Sequence, residues 1–314
     1  MSELRDLCVD LARVLADRVR PELGAHAARA HGQIGVGGDV TFRIDEGAEE
    51  ELARFLRDRA PHLAWYSEDQ GLIAGAGGIE ASDTVLVVDP IDGTRPAIAG
   101  FEAACVSVAA APLGDGRPVM ADVSVGVIVE IKSGREYVAV RGEGLTSTDP
   151  VRLSPNTDVS RLFWTSGYRG RPARELTEVL AELIDASSVG GGYFDLGSAC
   201  FNSMTILTGQ MDAYVDPGPV MIERVPAVRA AFERVGDGAV LNNSPYDVAA
   251  AVLCLEEGGA VVTDCAGRSL DDRPLLGSGH DFQMSLLAAA NAELHGTLLA
   301  EVEAGIERLR DRLA

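Results

Sequence analysis

Apolar residues near the N-terminus recur at helical spacing. Leu4, Leu7, Leu11, Val14 and Leu15 fall on one stripe with charged residues between them, which predicts an amphipathic first helix. A short polar stretch, DVTFRID from Asp39 to Asp45, leads into a second helix whose buried stripe is Leu52, Phe55 and Leu56, and Pro61 ends it. LAWYSED then reads as a short strand running into acidic residues. The β-branched run from Thr84 to Val88 predicts a buried strand that stops at DPIDGT, where Pro90 and Gly93 predict a loop. CVSVAAAP and the stretch from Val119 to Ile131 are further strands, the second meeting YVAVRGEG across a KSGR turn as a hairpin.

In the second half LFWTSGY is read as a strand, followed by a helix from about Pro172 to Ala186. A Gly-rich link precedes GSACFNSMTILTGQ, a helix, and MDAYVD returns as a strand. YDVAAAVLCLEEG is a helix, AVVTD a strand, and Ala292 to Leu313 a closing helix. Strands come in consecutive groups and not in strict βαβ alternation, so the pattern predicts α+β layers over a doubly wound sheet. A boundary is expected near residue 150, dividing an N-terminal α+β domain (1–150) from a C-terminal α/β domain (151–314).

Composition narrows the function classes. The chain has 314 residues, 46% of them hydrophobic, enough for one large core or two moderate ones. The net charge is −21 and Lys132 is the one lysine, so the surface repels phosphate backbones and nucleic-acid binding is not expected. The five cysteines (Cys8, Cys105, Cys200, Cys254, Cys265) form no CxxC pair, which argues against a zinc site or redox motif, and Cys105 and Cys254 read as buried hydrophobes. His26, His31, His62, His280 and His295 are dispersed and read as surface or structural residues. The N-terminus lacks the apolar stretch of a signal peptide and no apolar run is long enough for a bilayer, so a cytoplasmic protein without membrane contact is expected.

DPIDGT, Asp89 to Thr94, is the most informative stretch. A buried strand ends in Asp89, the chain turns at Pro90, and a second carboxylate follows at Asp92; two anionic oxygens leaving one turn suit a hard divalent cation. Gly93 and Thr94 then offer backbone N–H groups at the start of a short helix, where a phosphate can bind. The bland alternative, an acidic turn capped by a threonine, weakens because Glu68 ends a strand in WYSED and Asp247 opens an apolar helix in SPYDVAAAVL. Asp247 alone would read as an N-terminal helix charge.

DPIDGT, the acidic pair Glu68-Asp69 and YDVAAAVLCLEEGGAVVTD resemble the three signature regions of the inositol monophosphatase family, in the same order. DVTFRID, VAVRGEG and GSACFNSMTILTGQMDAYVD resemble further family segments, so nearly the whole chain is covered. The resemblance implies a layered αβαβα sandwich of the sugar-phosphatase type. It also implies a magnesium-dependent phosphatase that hydrolyses a small phosphate monoester with water activated by two or three Mg2+ ions. Inositol or sugar phosphates are the expected substrates; a 3′-phosphoadenosine-type nucleotide or histidinol phosphate is the alternative. Glu68, Asp89, Asp92, Asp247 and the Ile91 carbonyl match the metal ligands, and Gly93 and Thr94 the phosphate-binding backbone. Asp45 with Thr94 matches a pair that orients the attacking water, and Glu68 is the residue expected to take its proton. Asp216 falls where relatives often touch a substrate hydroxyl, and Ser198 and Ala199 are carried as further substrate or phosphate contacts. A homodimer is left open by the same resemblance.

The chain departs from the family pattern at Asp69, Arg95, Pro96 and Tyr246, and at a long segment, residues 217–244. These substitutions leave room for a regulatory or binding protein that keeps the fold with little turnover. Other phosphatase chemistries fit less well: DxxDGT is one residue longer than the DxDG motif of aspartyl-phosphate enzymes, and no cysteine begins a CxxxxxR motif. No GxSxG is present either. Val225, Val228, Ala231 and Phe232 predict a short amphipathic helix inside the 217–244 segment, which either packs on the body or shapes the leaving-group pocket.

Overall fold

The computed structural model describes residues 2–25, 31–34, 40–114 and 116–314. His26 and the Asp39 that opens DVTFRID lie outside them. Helices α1 (Ser2–Val19) and α2 (Arg43–Arg59) form one outer layer, joined by a small antiparallel pair, β1 (His31–Ile34) and β2 (Val40–Phe42). The helices bury Leu11, Leu15, Leu52 and Leu56 on the first sheet. That sheet has the order β4 (Gly71–Ile73), β3 (Ala64–Ser67), β5 (Thr84–Asp92), β6 (Cys105–Pro112), β7 (Val125–Glu130), β8 (Glu136–Val140), β9 (Gly144–Ser147). Only β3 and β5 run parallel; the other pairs are antiparallel. Both faces are covered, which is why its strands are continuous apolar runs: Leu86, Val88, Val106 and Val108 face α1 and α2, while Val85, Val87, Ala109 and Ala111 face the other way.

The second sheet has the order β11 (Gly192–Phe194), β10 (Phe163–Thr165), β12 (Ala213–Asp216), β14 (Leu286–Ala289), β13 (Val261–Thr263). Between the sheets lie α5 (Ala199–Leu207) and α8 (Pro245–Glu257). All nine residues of α5 and ten of the thirteen of α8 are buried, so neither shows an amphipathic stripe: each is covered by sheet on two sides. Helices α4 (Ala173–Ala186), α6 (Gly218–Arg224), α7 (Arg229–Val235) and α9 (Ala292–Leu313) cover the far face of the second sheet, against Trp164, Val215 and Leu287. The result is the α+β sandwich with layers αβαβα.

Several local expectations change. The strand beginning at Thr84 does not stop before DPIDGT but continues through Asp92, and the remaining helix, α3 (Thr94–Ala99), follows directly. The strand expected from Val119 begins only at Val125, after a 3₁₀ turn over Met120–Asp122. The Gly-rich link contains β11. Residues 217–244 hold two helices with a 3₁₀ turn between them, and Val220, Met221, Val225, Val228 and Phe232 join the core under α9. The surface-packing alternative describes that segment, and none of its residues lines the cleft considered below.

Helix α8 approaches the first sheet most closely at Gly126. A Cβ there would lie 2.9 Å from the Ala250 carbonyl oxygen and 3.2 Å from its Cα. Gly126→Val should therefore push α8 off β7, costing about 1–3 kcal/mol and lowering the melting temperature. Gly279→Ala, where an added Cβ meets nothing within 4 Å, should leave it unchanged. Equal melting temperatures for the two variants would refute this account of the packing.

Candidate metal centre and active site

The strand β5 brings two carboxylates to one face by an irregularity in its ladder. Asp89 pairs with Ser107 and Asp92 with Cys105, so three steps along β5 are matched by two along β6. In a regular strand residues three apart point to opposite faces; one extra residue restores the phase and turns both aspartates to the same side. Pro90 fits at this place, where a missing N–H costs no ladder bond. The bulge is held by the Ile91 N–H, which donates to Asp89 Oδ1 at 2.9 Å. Gly93 follows with φ +91°, and a Cβ there would lie 2.6 Å from the Ala103 carbonyl oxygen, so glycine alone fits.

Asp247 arrives from the other direction, as the third residue of α8. Its Oδ2 accepts the Ser244 N–H at 2.5 Å, closing a capping box. Helix charge and cleft residue are thus the same group. One oxygen from each of Asp89, Asp92 and Asp247 lies within 4.8 Å of the others. Glu68, at the end of β3, lines the same cleft with Ile91, Gly93 and Thr94. Asp45 sits at the start of α2: Oδ2 accepts the Phe42 N–H at 2.8 Å, and Oδ1 lies 3.1 Å from the Thr94 hydroxyl. The hydroxyl is also 3.2 Å from the Ile91 carbonyl and, with one proton, donates to one acceptor at a time.

Crowding these acids has an electrostatic cost. Burial, then the charges of Glu68, Asp92 and Asp247, hold the Asp89 carboxyl well above the usual range. Burial and then Asp247, Asp45, Asp69 and Glu49 do the same to Glu68. Asp247 is pushed up to about 7 by burial and Asp92, against the Ser244 N–H and the guanidiniums of Arg169 and Arg171. Asp92 is also raised by burial, though the Ser198 hydroxyl and the Cys200 and Ala199 N–H groups counter it. Carboxylate oxygens with a backbone carbonyl beside them, and no cysteine or histidine in the lining, make a donor set for a hard divalent cation. Such an ion would remove the repulsion that otherwise favours protonation.

Three expected substrate contacts are engaged with other residues of the protein. Asp216 is 1% exposed. Its carboxylate is ion-paired with Arg171 and accepts from Asn243 Nδ2 at 3.0 Å and the Gly218 N–H at 3.3 Å. A substrate hydroxyl would have to displace a buried guanidinium to reach it. Ser198 and Ala199 turn to Asp92: the Ser198 hydroxyl donates to Oδ2 at 2.6 Å and the Ala199 N–H to Oδ1 at 3.3 Å. They fix a carboxylate.

Other residues of the site were not foreseen. Glu49, buried and pushed up to about 7 chiefly by burial, accepts from Ser67 Oγ and Gln70 Nε2, both at 3.0 Å, and so holds the turn that presents Glu68. Its signal was its place one helical turn after Asp45. Arg169 and Arg95 both line the cleft, and only its position in the RxR of GYRGRP hinted at Arg169. A roomier cleft of about 470 Å³ lies between α6 and the 264–285 region, but Arg268 pairs there with Glu223 and Asp264, and Arg273 donates to the Asp281 and Gln283 carbonyls. No carboxylate cluster comparable to the metal centre is found there among the described residues.

The profile of the inositol monophosphatase family matches residues 1–307. A fructose-1,6-bisphosphatase/inositol-1-monophosphatase of Methanothermobacter thermautotrophicus is 25% identical over 302 residues, 95% of this chain and 96% of that one. Nus factor SuhB of Pasteurella multocida is 26% identical, covering 80% of this chain and 78% of its own. Inositol monophosphatase 1 of Homo sapiens is 23% identical over 74% of each chain. Among solved structures the IMPase of Thermotoga maritima superposes with a TM-score of 0.71 at 19% identity, covering 98% of this chain and all of that one, and so shares the fold. The chain belongs to the inositol monophosphatase family. It is a phosphatase, a phosphoric monoester hydrolase of a metal-dependent family that acts on small phosphorylated substrates. No helix among the described residues is long and apolar enough to cross a membrane.

The shifts at Asp45, Glu49 and Asp247, each up to about 7, set a pH dependence. Unfolded carboxyls titrate near pH ~4, so between about pH 4 and 7 the metal-free fold holds protons that the unfolded chain releases. These groups therefore contribute stability below about pH 4 that is lost as the pH rises through about 7. A divalent cation supplies the missing counter-charge at high pH. The gain in melting temperature on adding Mg2+ after chelation should be larger at pH 8 than at pH 5.5 when measured by scanning calorimetry. Equal gains would show that the acids of the cleft do not take up the ion.

Proposed function

Proceeding from its place in the inositol monophosphatase family, we propose that the protein hydrolyses a small phosphate monoester with Mg2+ and water, inositol or sugar phosphates being the first candidates. The convergence of Asp89, Asp92 and Asp247 within 4.8 Å, from two elements far apart in sequence, is the observation that carries this reading. Glu68, Asp89, Asp92, Asp247 and the Ile91 carbonyl would hold the ions. Bound magnesium would supply positive charge to the phosphoryl group and lower the pKa of the attacking water.

The chain's own groups do the rest. The Thr94 hydroxyl, held by Asp45, orients the water through a hydrogen bond, and Glu68 accepts its proton. The Gly93 and Thr94 N–H groups donate to the phosphate oxygens. Ser198 and the N–H groups of Ala199 and Cys200 keep Asp92 fixed in orientation. The work divides near residue 150: residues 1–150 supply Glu68 and the DPIDGT segment, and residues 151–314 supply Asp247 and the groups that meet the alcohol. No side-chain nucleophile takes part.

Asp89→Asn and Asp247→Asn should each lower Mg2+-dependent phosphate release by at least about 100-fold while the fold persists, since each removes a negative ligand. Phosphate release from a panel of inositol, sugar, adenosine 3′- and histidinol phosphates measures this. Near-normal activity in either variant would overturn the metal set. No turnover of any ester by the wild type, with binding retained, would favour a binding or regulatory role.

Hydrolysis in ¹⁸O-labelled water should place one label in the released phosphate and leave the protein unphosphorylated. A phospho-aspartate trapped at Asp89 or Asp92 would overturn the water mechanism.

A further inference from the structure

The metal centre is assembled from separate layers. Asp89 and Asp92 belong to β5 of the first sheet, and Asp247 to α8, the helix packed between the sheets. Their oxygens come within 4.8 Å because the first turn of α8 is held in register with β5. The buried face of α8 is mainly aliphatic, and such packing is non-directional, which leaves the orientation of that first turn to hydrogen bonds.

The peptide unit between Asn243 and Ser244 supplies them on both of its edges. Its N–H donates to Asp247 Oδ2 at 2.5 Å, closing the capping box. Its carbonyl accepts the Met284 N–H at 2.8 Å, in an antiparallel bridge two residues before β14. A trans peptide is planar and points its N–H and C=O in opposite directions. One rigid plane therefore links the Asp247 carboxylate to the chain that enters β14.

The Asn243 side chain holds that plane in place. Its Nδ2 donates to Asp216 Oδ2 at 3.0 Å and to the Tyr214 hydroxyl at 3.1 Å, and its Oδ1 accepts from Arg171 Nη2 at 3.2 Å. A guanidinium only donates and a carboxylate only accepts, so a single orientation of the carboxamide satisfies both. All four residues are buried, and water competes little for these bonds. Tyr214 and Asp216 lie on β12, and the Ser285 hydroxyl donates to the Asp216 carbonyl at 2.9 Å, which joins β12 to the same entry into β14. The pair of Arg171 and Asp216 is thus an anchor for Asn243.

From this we infer that Asn243 is a positioning residue for the metal centre: held by Asp216, Arg171 and Tyr214, it orients the Asp247 carboxylate toward Asp89 and Asp92. The inference rests on Asp247 being a metal ligand, as proposed above. It gives Asp216 a part in holding the ion and none in choosing the ester.

The adjacent asparagine provides a matched control. Asn242 and Asn243 are both 7% exposed, but Asn242 Nδ2 donates to Gln283 Oε1 at 3.2 Å, away from the Asp216 cluster. Calorimetry on the chelated protein at pH 8 should find Mg2+ bound about tenfold more weakly by Asn243→Ala, the usual effect of losing a residue that orients a metal ligand. Asn242→Ala should stay within about twofold of wild type, because its amide does not reach the peptide plane that holds Asp247. Both variants should melt at a lower temperature, so a loss of stability does not separate them. At limiting Mg2+, phosphate release by Asn243→Ala should fall by the same factor for inositol 1-phosphate and for 4-nitrophenyl phosphate, whose alcohol has no further hydroxyl. It should recover toward wild type as Mg2+ is raised.

An affinity within about threefold of wild type in Asn243→Ala would overturn the inference, as would equal weakening in Asn242→Ala. A loss confined to the inositol ester would overturn it too and assign the Asp216 cluster to the substrate. If Asn243→Ala does not fold, Tyr214→Phe, which removes one hydroxyl from the cluster, decides. A loss of about threefold or more in its Mg2+ affinity supports the inference, and a smaller one refutes it. Each of these results leaves the metal reading standing; a wild type that binds no Mg2+ would overturn that reading and the inference with it.

Discussion

Mutual repulsion among buried carboxylates is the constraint that shapes this molecule. Asp89, Asp92 and Asp247 meet within 4.8 Å in a cleft where burial already disfavours their charge. Left alone, such a cluster takes up protons or moves apart. The fold prevents the second response by fixing Asp89 and Asp92 through a bulge in a central strand, Asp247 through the first turn of a largely buried helix, and the neighbouring Glu68 through a short strand end braced by Glu49. The two middle helices are part of the same solution. One supplies Asp247, and the other starts with the Ser198 hydroxyl and two N–H groups that grip Asp92. A cation is then the response that remains at neutral pH.

Much of this was legible in the sequence, because chemistry and periodicity coincide there. The apolar runs of β5, β6 and β7 and the stripes of α1 and α2 give away buried strands and half-buried helices. The ends of β3 and β5 and the start of α8 then mark where acids cluster. The principal misreading, a loop at DPIDGT, came from treating proline and glycine as strand breakers. A bulge accommodates Pro90, and the strand continues to Asp92 with its facing corrected by one residue. The strands that went unseen, β1, β2, β4, β9, β11 and β14, have three or four residues each, and LLAA in β14 carries neither alternation nor a β-branched residue.

What a linear motif conveys less well is which way a polar group within it turns. Asp216 ends its strand where the resemblance predicts a substrate contact, yet a buried arginine from a loop 45 residues earlier occupies it. Ser198 and Ala199 lie beside the cleft, and both donate to Asp92. Each of these facts depends on a partner distant in sequence, so only the packing of the two sheets through α5 and α8 reveals it. Arg169 was missed for the related reason that its loop is held by Arg171, whose Nη1 donates to the Arg169 carbonyl at 2.7 Å. The second arginine of the pair anchors the loop, and the first is thereby aimed.

Charge at long and short range then works in opposite senses. A net charge of −21 repels an anionic ester as a whole, and with one lysine in the chain the local relief comes from guanidiniums. Salt screens the distant field beyond roughly 8–10 Å, so what an approaching phosphate meets at the cleft is set by the groups that line it. Among the described lining residues those are Glu68, Asp89, Asp92 and Asp247 together with Arg95 and Arg169. Divalent ions would cancel the charge of the carboxylates. On this accounting metal binding would change who can enter the cleft as well as what can happen there, and the same four acids would deter anions until they were neutralised.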